Sequence, residues 1–437
     1  MPLLLVADRL FSPKKMVFDK NVDKFYVFLV MCTDWSIFGG SNCTDWRFAS
    51  FSFPFFLALF PPNRINIRNE KRTGDIHMVI GVTRERKNQE KRVGLTPDNA
   101  KEYIRHGHRV LIETNAGIGA GFSDEEYRLA GCQIKQSEKE VFDEAEMIIK
   151  VKEPEECEYP LFREGQILFT YLHLAPAPEL TEFLIKRKVE AVAYETLEDN
   201  GRLPCLAPMS QIAGRLSFFE GAKYLQERFG GEGVLLGKVD NVPSPNVLVI
   251  GGGTTGEYAA RSALGADAHV TLLDISEKKL AYLKETLHGD LELKLSNETN
   301  LVEALKEADL VIGAALVPGG ATPKVIRREH LIYMKKGAVI VDIAIDQGGC
   351  CETSHVTTHD DPIYIEEGIV HYCVGNMPGA VARTSTIALT TTTLPYGLLI
   401  ADLGLEEACK RYSSIRTALN IHDGQVVNEN VKKALGL

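Results

Sequence analysis

A glycine turn set between two apolar strands constrains this chain more than any other feature. Residues 246–250 read NVLVI, followed by Gly251-Gly252-Gly253-Thr254-Thr255-Gly256, a helical stretch over 257–264, a second strand over 269–273 and then Asp274. Gly251 permits the tight turn, Gly253 lets backbone approach a pyrophosphate, and Gly256 lets the helix pack on its strand. The helix start at Thr254 and Thr255 offers unpaired N–H groups to an anion. Asp274 stands 18 residues past Gly256, where a carboxylate accepts ribose hydroxyls and repels a 2′-phosphate, so NAD is favoured over NADP. Helices over 276–287 and 301–307 alternate with strands over 291–295, 309–313 and 338–344, which predicts right-handed crossovers and a parallel doubly wound sheet. Ligands in such sheets sit beyond strand C-termini, where Leu316 and Asp346 fall. Between the first helix and the second strand, Gly265 or Asp267 is expected to take a positive φ.

Upstream, residues 78–206 carry their own alternation. Strands are expected over 78–83, 110–113 and 145–150, and Thr96-Pro97 reads as a helix N-cap followed by proline at the first helical position. Arg92, Lys152 and His173 stand at the ends of these elements. Taken singly, each has an ordinary reading as a surface charge, a solvated lysine or a boundary histidine, and spacing alone does not bring them together.

Composition closes off other classes. With 49 Lys+Arg against 59 Asp+Glu and a net charge of -10, no basic face is available for a nucleic acid backbone. No apolar run reaches the length of a membrane span, so no membrane partner is expected. Nine cysteines in 437 residues are too sparse for a disulfide scaffold and fit a reducing, cytoplasmic setting. Cys350, Cys351, His355, His359, His371 and Cys373 lack paired zinc spacing, and adjacent cysteines on an extended segment face opposite ways, so no metal is expected.

Residues 1–77 differ from the rest. They hold 14 of the chain's 35 aromatic residues, without sustained helical or strand periodicity. The composition changes at Met78, which reads as the true start of the protein. The preceding segment reads as a non-homologous extension arising from a misplaced gene start, and low order is expected there.

Several long strings in order carry a resemblance: 81–97 (GVTRERKNQEKRVGLTP), 150–154 (KVKEP), 165–176 (GQILFTYLHLAP), 206–215 (LAPMSQIAGR), 249–256, 309–318, 341–349 (VDIAIDQGG) and 372–381 (YCVGNMPGAV). From Met78 to Leu437 the sequence resembles the NAD-dependent L-alanine dehydrogenases of the alanine dehydrogenase and pyridine nucleotide transhydrogenase family. The resemblance implies that Arg92 binds the substrate carboxylate, Lys152 contacts the substrate beside it, and His173 with Asp346 carries the acid–base work. It implies cofactor contacts from Ser210, Asn376, Met377 and Asp274, and a homohexamer. The implied reaction turns L-alanine into pyruvate and ammonia.

Chemistry agrees with those roles. Hydride loss from Cα requires a clamped substrate, and a guanidinium offers a planar two-point hold on a carboxylate. Hydrating the resulting imine needs a group that exchanges protons near neutral pH, which suits imidazole. The expected architecture is α/β, with two doubly wound domains: residues 78–205 and 384–437 form the substrate domain, and 206–383 form an inserted NAD domain. Residues 210–227 are expected to be one helical hinge, with its partner near 384–394, and residues 403–437 are expected to be helices. The rival readings are a soluble subunit of a proton-translocating transhydrogenase and a regulatory NAD-binding protein without turnover.

Overall fold

Two parallel-dominated sheets organise the chain in the computed structural model, which describes residues 77–315 and 322–436. The first eight-stranded sheet draws β1 (Val79–Val82), β2 (Arg109–Glu113), β3 (Gln133–Lys135), β4 (Met147–Ile149), β5 (Ile167–Thr170) and β6 (Glu190–Ala193) from the first half. The second contains seven strands: β7 (Asn246–Ile250), β8 (His269–Asp274), β9 (Leu291–Leu295), β10 (Leu310–Gly313), β11 (Val339–Asp342), β12 (Ile363–Glu366) and β13 (Ile369–Tyr372). The chain then returns to the first sheet with β14 (Leu419–His422) and β15 (Gln425–Val426).

The strand orders are β15-β14-β6-β5-β4-β1-β2-β3 and β12-β13-β11-β10-β7-β8-β9. In the first sheet, β1 pairs in parallel with both β2 and β4, which reverses the direction of winding there. The same reversal occurs in the second sheet at β7, between β8 and β10. Loops after the C-terminal ends of strands at such points line crevices. Both sheets fall within one contact unit of the chain, Ile65–Leu437.

Period-two burial explains why these segments are strands. On β4, Met147 and Ile149 enter one apolar layer while Ile148 enters the opposite one. On β10, Leu310 and Ile312 face one layer and Val311 the other. Apolar side chains on both faces are the mark of a parallel sheet covered on each side. Thr96 caps the Pro97–Arg105 helix by accepting from the Asn99 amide at 3.2 Å, and Asp267 is the residue that takes the positive φ, at 58°.

The connection between the sheets is the Ala207–Tyr224 helix, which starts three residues before the expected 210, and the return is the Ala382–Leu403 helix. Gly214 packs where a Cβ would lie 2.2 Å from the Thr255 carbonyl oxygen, so only glycine lets this helix cross the one that follows β7. The expectation of helices throughout 403–437 is corrected by β14 and β15. Asp423 and Gly424, both at positive φ, turn a hairpin between them. The expectation of low order over residues 1–77 falls, apart from His77, outside the described residues. No single helix among the described residues is long and apolar enough to cross a membrane.

Candidate active site

Arg92, Lys152 and His173 follow β1, β4 and β5 of the first sheet, while Asp346 and Asn376 follow β11 and β13 of the second. All five line one cavity of about 260 Å³, together with Ser210 and Thr255. The sequence-predicted groups therefore converge where the C-terminal ends of both sheets face each other.

The Arg92 corner is buried and densely hydrogen-bonded. Arg92 is 3% exposed; its Nε donates to Glu90 Oε1 at 2.7 Å, and its Nη2 donates to Glu90 Oε2 at 2.5 Å and to Asn376 Oδ1 at 2.8 Å. Nη1 lies 3.2 Å from Met209 Sδ. Asn376 Nδ2 donates in turn to Glu90 Oε2 at 3.1 Å. Burial opposes ionisation of Glu90, but the hydrogen bonds and charge of Arg92 outweigh it and hold the carboxyl below its ordinary value. A guanidinium has five N–H donors, so the hydrogen without a partner among the described residues is on Nη1. An anion gains a two-point hold on this guanidinium by displacing Asn376 or Met209.

Lys152 is different. Its Nζ has no hydrogen-bonding partner among the described residues, and burial, then repulsion from Arg92, lower its pKa. Its backbone N–H donates to buried Glu85 at 3.2 Å, beside Val151 at 2.7 Å. Burial pushes the Glu85 carboxyl up.

His173 is the open corner. Its side chain is 46% exposed, with Nδ1 3.8 Å from Glu153 Oε2, too long for a hydrogen bond. Its backbone takes φ 49°, an uncommon state for a residue with a Cβ. The Glu195 carboxylate holds it there, accepting the His173 amide at 2.7 Å and the Leu172 amide at 3.2 Å. Glu153 also meets Lys87; although burial opposes this, His173, Lys87 and Lys152 hold its carboxyl well below the usual range.

On the second sheet, Gly251 takes φ 98°, and a Cβ on Gly256 would lie 1.8 Å from the Gly251 carbonyl oxygen. Gly253 begins the Thr254–Leu264 helix with no side-chain cap, and a Cβ there would meet nothing within 4 Å. The space over Gly253 and the unpartnered first-turn amides thus fit a pyrophosphate. Asp274 ends β8 at 7% exposure, accepting the Gly252 amide at 2.7 Å and the Ser276 amide at 2.8 Å. It braces the glycine turn, and a carboxylate's further lone pairs remain for hydroxyl donors.

Two predicted contacts stand apart. Met377 is 3% exposed in the second-sheet core, and Pro378 lines the cavity in its place. Leu316 lies outside the described residues. Burial pushes the Cys373 thiol up to about 11 and raises Cys350 and Cys351 as well. Sequence reasoning missed Glu90, Glu195 and Met209. Glu90, two residues from Arg92, carried a signal, because alternate residues of an extended segment share a side.

Profiles of the two domains of one family cover most of this fold: the alanine dehydrogenase/PNT N-terminal domain matches residues 81–213 and its C-terminal domain matches 217–429. An alanine dehydrogenase of Methanococcus maripaludis is 50% identical over 359 residues, covering 82% of this chain and 96% of that protein. The chain belongs to the alanine dehydrogenase/PNT family. Alanine dehydrogenase 2 of Staphylococcus aureus shows the same identity and coverage. Among solved structures, an L-alanine dehydrogenase is 47% identical with a TM-score of 0.80, covering 82% of this chain and 99% of that one. A transhydrogenase from Sinorhizobium meliloti, 21% identical with a TM-score of 0.71 over 80% of this chain and all of that one, shares the fold. The Arg92 and His173 corners described above thus lie in the cleft of an alanine dehydrogenase/PNT protein.

Proposed function

We propose that this protein catalyses the reversible NAD-dependent oxidative deamination of L-alanine to pyruvate and ammonia. The observation that carries the reading is the meeting of Arg92, Lys152, His173 and Asp346 in one cavity between two strand-end rims, in a chain half identical to alanine dehydrogenases. NAD, when bound, accepts the hydride that leaves Cα. Gly251, Gly253, Thr254, Thr255 and Gly256 would hold its phosphates, Asp274 its adenosine ribose, and Ser210, Asn376 and Met377 its nicotinamide end.

Arg92 holds the substrate carboxylate through Nη1 and the Nη2 donor now given to Asn376. Lys152, with no hydrogen-bonding partner of its own, polarises the developing carbonyl. His173 takes a proton from the water that adds to the imine carbon and delivers it to the nitrogen; as the C–N bond breaks and ammonia leaves, it takes up the carbinol O–H proton while the C=O bond forms. Asp346 stabilises positive charge on that nitrogen. Closing the two rims excludes bulk water from these steps.

The same proposal takes residues 78–205 with 384–437 as the substrate domain and 206–383 as the NAD domain, supported by the return of β14 and β15 to the first sheet. A homohexamer in the cytoplasm, with no nucleic acid or membrane partner, completes it. The test is NADH formation from L-alanine at alkaline pH, with His173→Ala in parallel. Alanine-dependent NADH in the wild type and its loss in the variant support the reading. Hydride exchange between two nicotinamides without alanine turnover contradicts it and favours a transhydrogenase.

A further inference from the structure

We infer that Asp342 is a positioning residue that closes the turn carrying Asp346 into the cavity. The inference rests on the proposed role of Asp346 in the reaction. Asp342 ends β11 at 1% exposure, and no Lys or Arg pairs with it among the described residues. Its two oxygens instead receive backbone N–H groups from farther along the chain: Oδ1 accepts from Cys350 at 3.1 Å and Oδ2 from Cys351 at 3.0 Å. Between these points the chain makes the short helix Ile343–Gln347 and passes through Gly348 and Gly349 at φ 93° and 77°. The carboxylate thus ties the end of the turn back to its beginning with two charge-assisted hydrogen bonds, the stronger class of such bonds.

The carboxylate packs so closely on two glycines that neither has room for a side chain. A Cβ on Gly349 would lie 2.7 Å from Asp342 Oδ2, and one on Gly313, its neighbour across β10, would lie 3.2 Å from Oδ1. The returning segment is also fixed to β13. His371 Nδ1 lies 3.0 Å from the Ile369 carbonyl, which only accepts, so Nδ1 carries the proton and Nε2 receives the Thr353 hydroxyl at 2.8 Å. Cys351 Sγ lies 3.1 Å from that hydroxyl oxygen. Asp346 itself faces the Asn376 amide at 3.3 Å, so its place depends on the turn behind it and the β13 loop beside it. A solvent-side structural charge would not need this arrangement; holding one exposed carboxylate against a neighbouring loop does.

Asp342→Asn presents an NH2 group to one of the two amides, sets donor against donor, and loosens the turn. We expect kcat for L-alanine to fall about tenfold or more, because small displacements of a catalytic group carry large rate penalties, with KM for alanine changed by less than about threefold. Amide exchange at Cys350 and Cys351 should quicken while that of β1 does not. In an Asp346→Ala background, adding Asp342→Asn should change kcat by less than about twofold, since the second substitution has nothing left to misplace. Should Asp342→Asn fail to fold, Gly349→Ala, which presses a methyl onto the intact carboxylate, is expected to show the same non-additivity. An unchanged kcat in Asp342→Asn, or equal fold losses with and without Asp346, overturns the inference. Absence of alanine turnover in the wild type instead overturns the functional reading on which it rests.

Discussion

Arg92 and His173 reach the same cavity from loops that follow strands of one sheet, yet their surroundings differ in kind. Arg92 is buried, paired with Glu90 and hydrogen-bonded across the cleft to Asn376. The His173 side chain is half exposed, fixed mainly through its backbone by Glu195, and its ring faces Glu153 at ion-pair rather than hydrogen-bond distance. The contrast follows from the work each does. A group that orients a substrate gains from rigidity, because its geometry is then set before the substrate arrives. A group that takes and returns protons must reach the reacting atoms directly or through one water. Asn376 is placed to sense the first group, since the anion that completes its hold on Arg92 takes the hydrogen bond Asn376 now receives.

Removing each group should expose this difference. Arg92→Ala leaves the Glu90 carboxylate buried without its partner, so we expect a stability loss of about 3–5 kcal/mol alongside loss of activity; a variant as stable as the wild type would break the contrast. His173→Ala is expected to lower kcat by about 10²–10⁴-fold, while urea unfolding moves by no more than about 0.5 kcal/mol, as for other exposed positions. Asp274→Ala removes the acceptor of the Gly252 amide. It should weaken NAD binding by about 1–3 kcal/mol and leave KM for alanine unchanged, which separates the cofactor rim from both substrate corners.

The smallest effect concerns pH. Because the folded-state pKa of Glu90 lies below its ordinary value, its contribution to stability is fully present above the ordinary carboxylate range and is lost as pH falls through the depressed folded value. In Glu90→Gln the acid side of the stability profile, measured by urea unfolding at successive pH values, should flatten. An unchanged acid slope would show that Glu90 is not what holds the Arg92 corner ionised.

How much of this was legible depended on whether the signal was local. The glycine turn and the Thr96 cap are fixed by backbone geometry within a few residues, and each stands where the sequence indicated. The hairpin at Asp423-Gly424 carried an equally local signal, a residue pair suited to the positive φ both adopt. Glu195 offered no cue, because its role is to hold the backbone of His173 from 22 residues away. Met377 and Pro378 diverge after Asn376, which takes φ 58°: the methionine enters the core while the proline meets the cavity. The engagement of Arg92 by Asn376 was likewise invisible, since it joins residues 284 positions apart.

The central claim, that Arg92 reads the substrate carboxylate, is tested most directly by comparing kcat/KM for L-alanine and for L-alaninamide, which lacks that charge, in the wild type and in Arg92→Gln. The account predicts strong preference for L-alanine in the wild type and a ratio near one in the variant, through loss of alanine turnover alone. A variant that still prefers L-alanine by the wild-type ratio would contradict it.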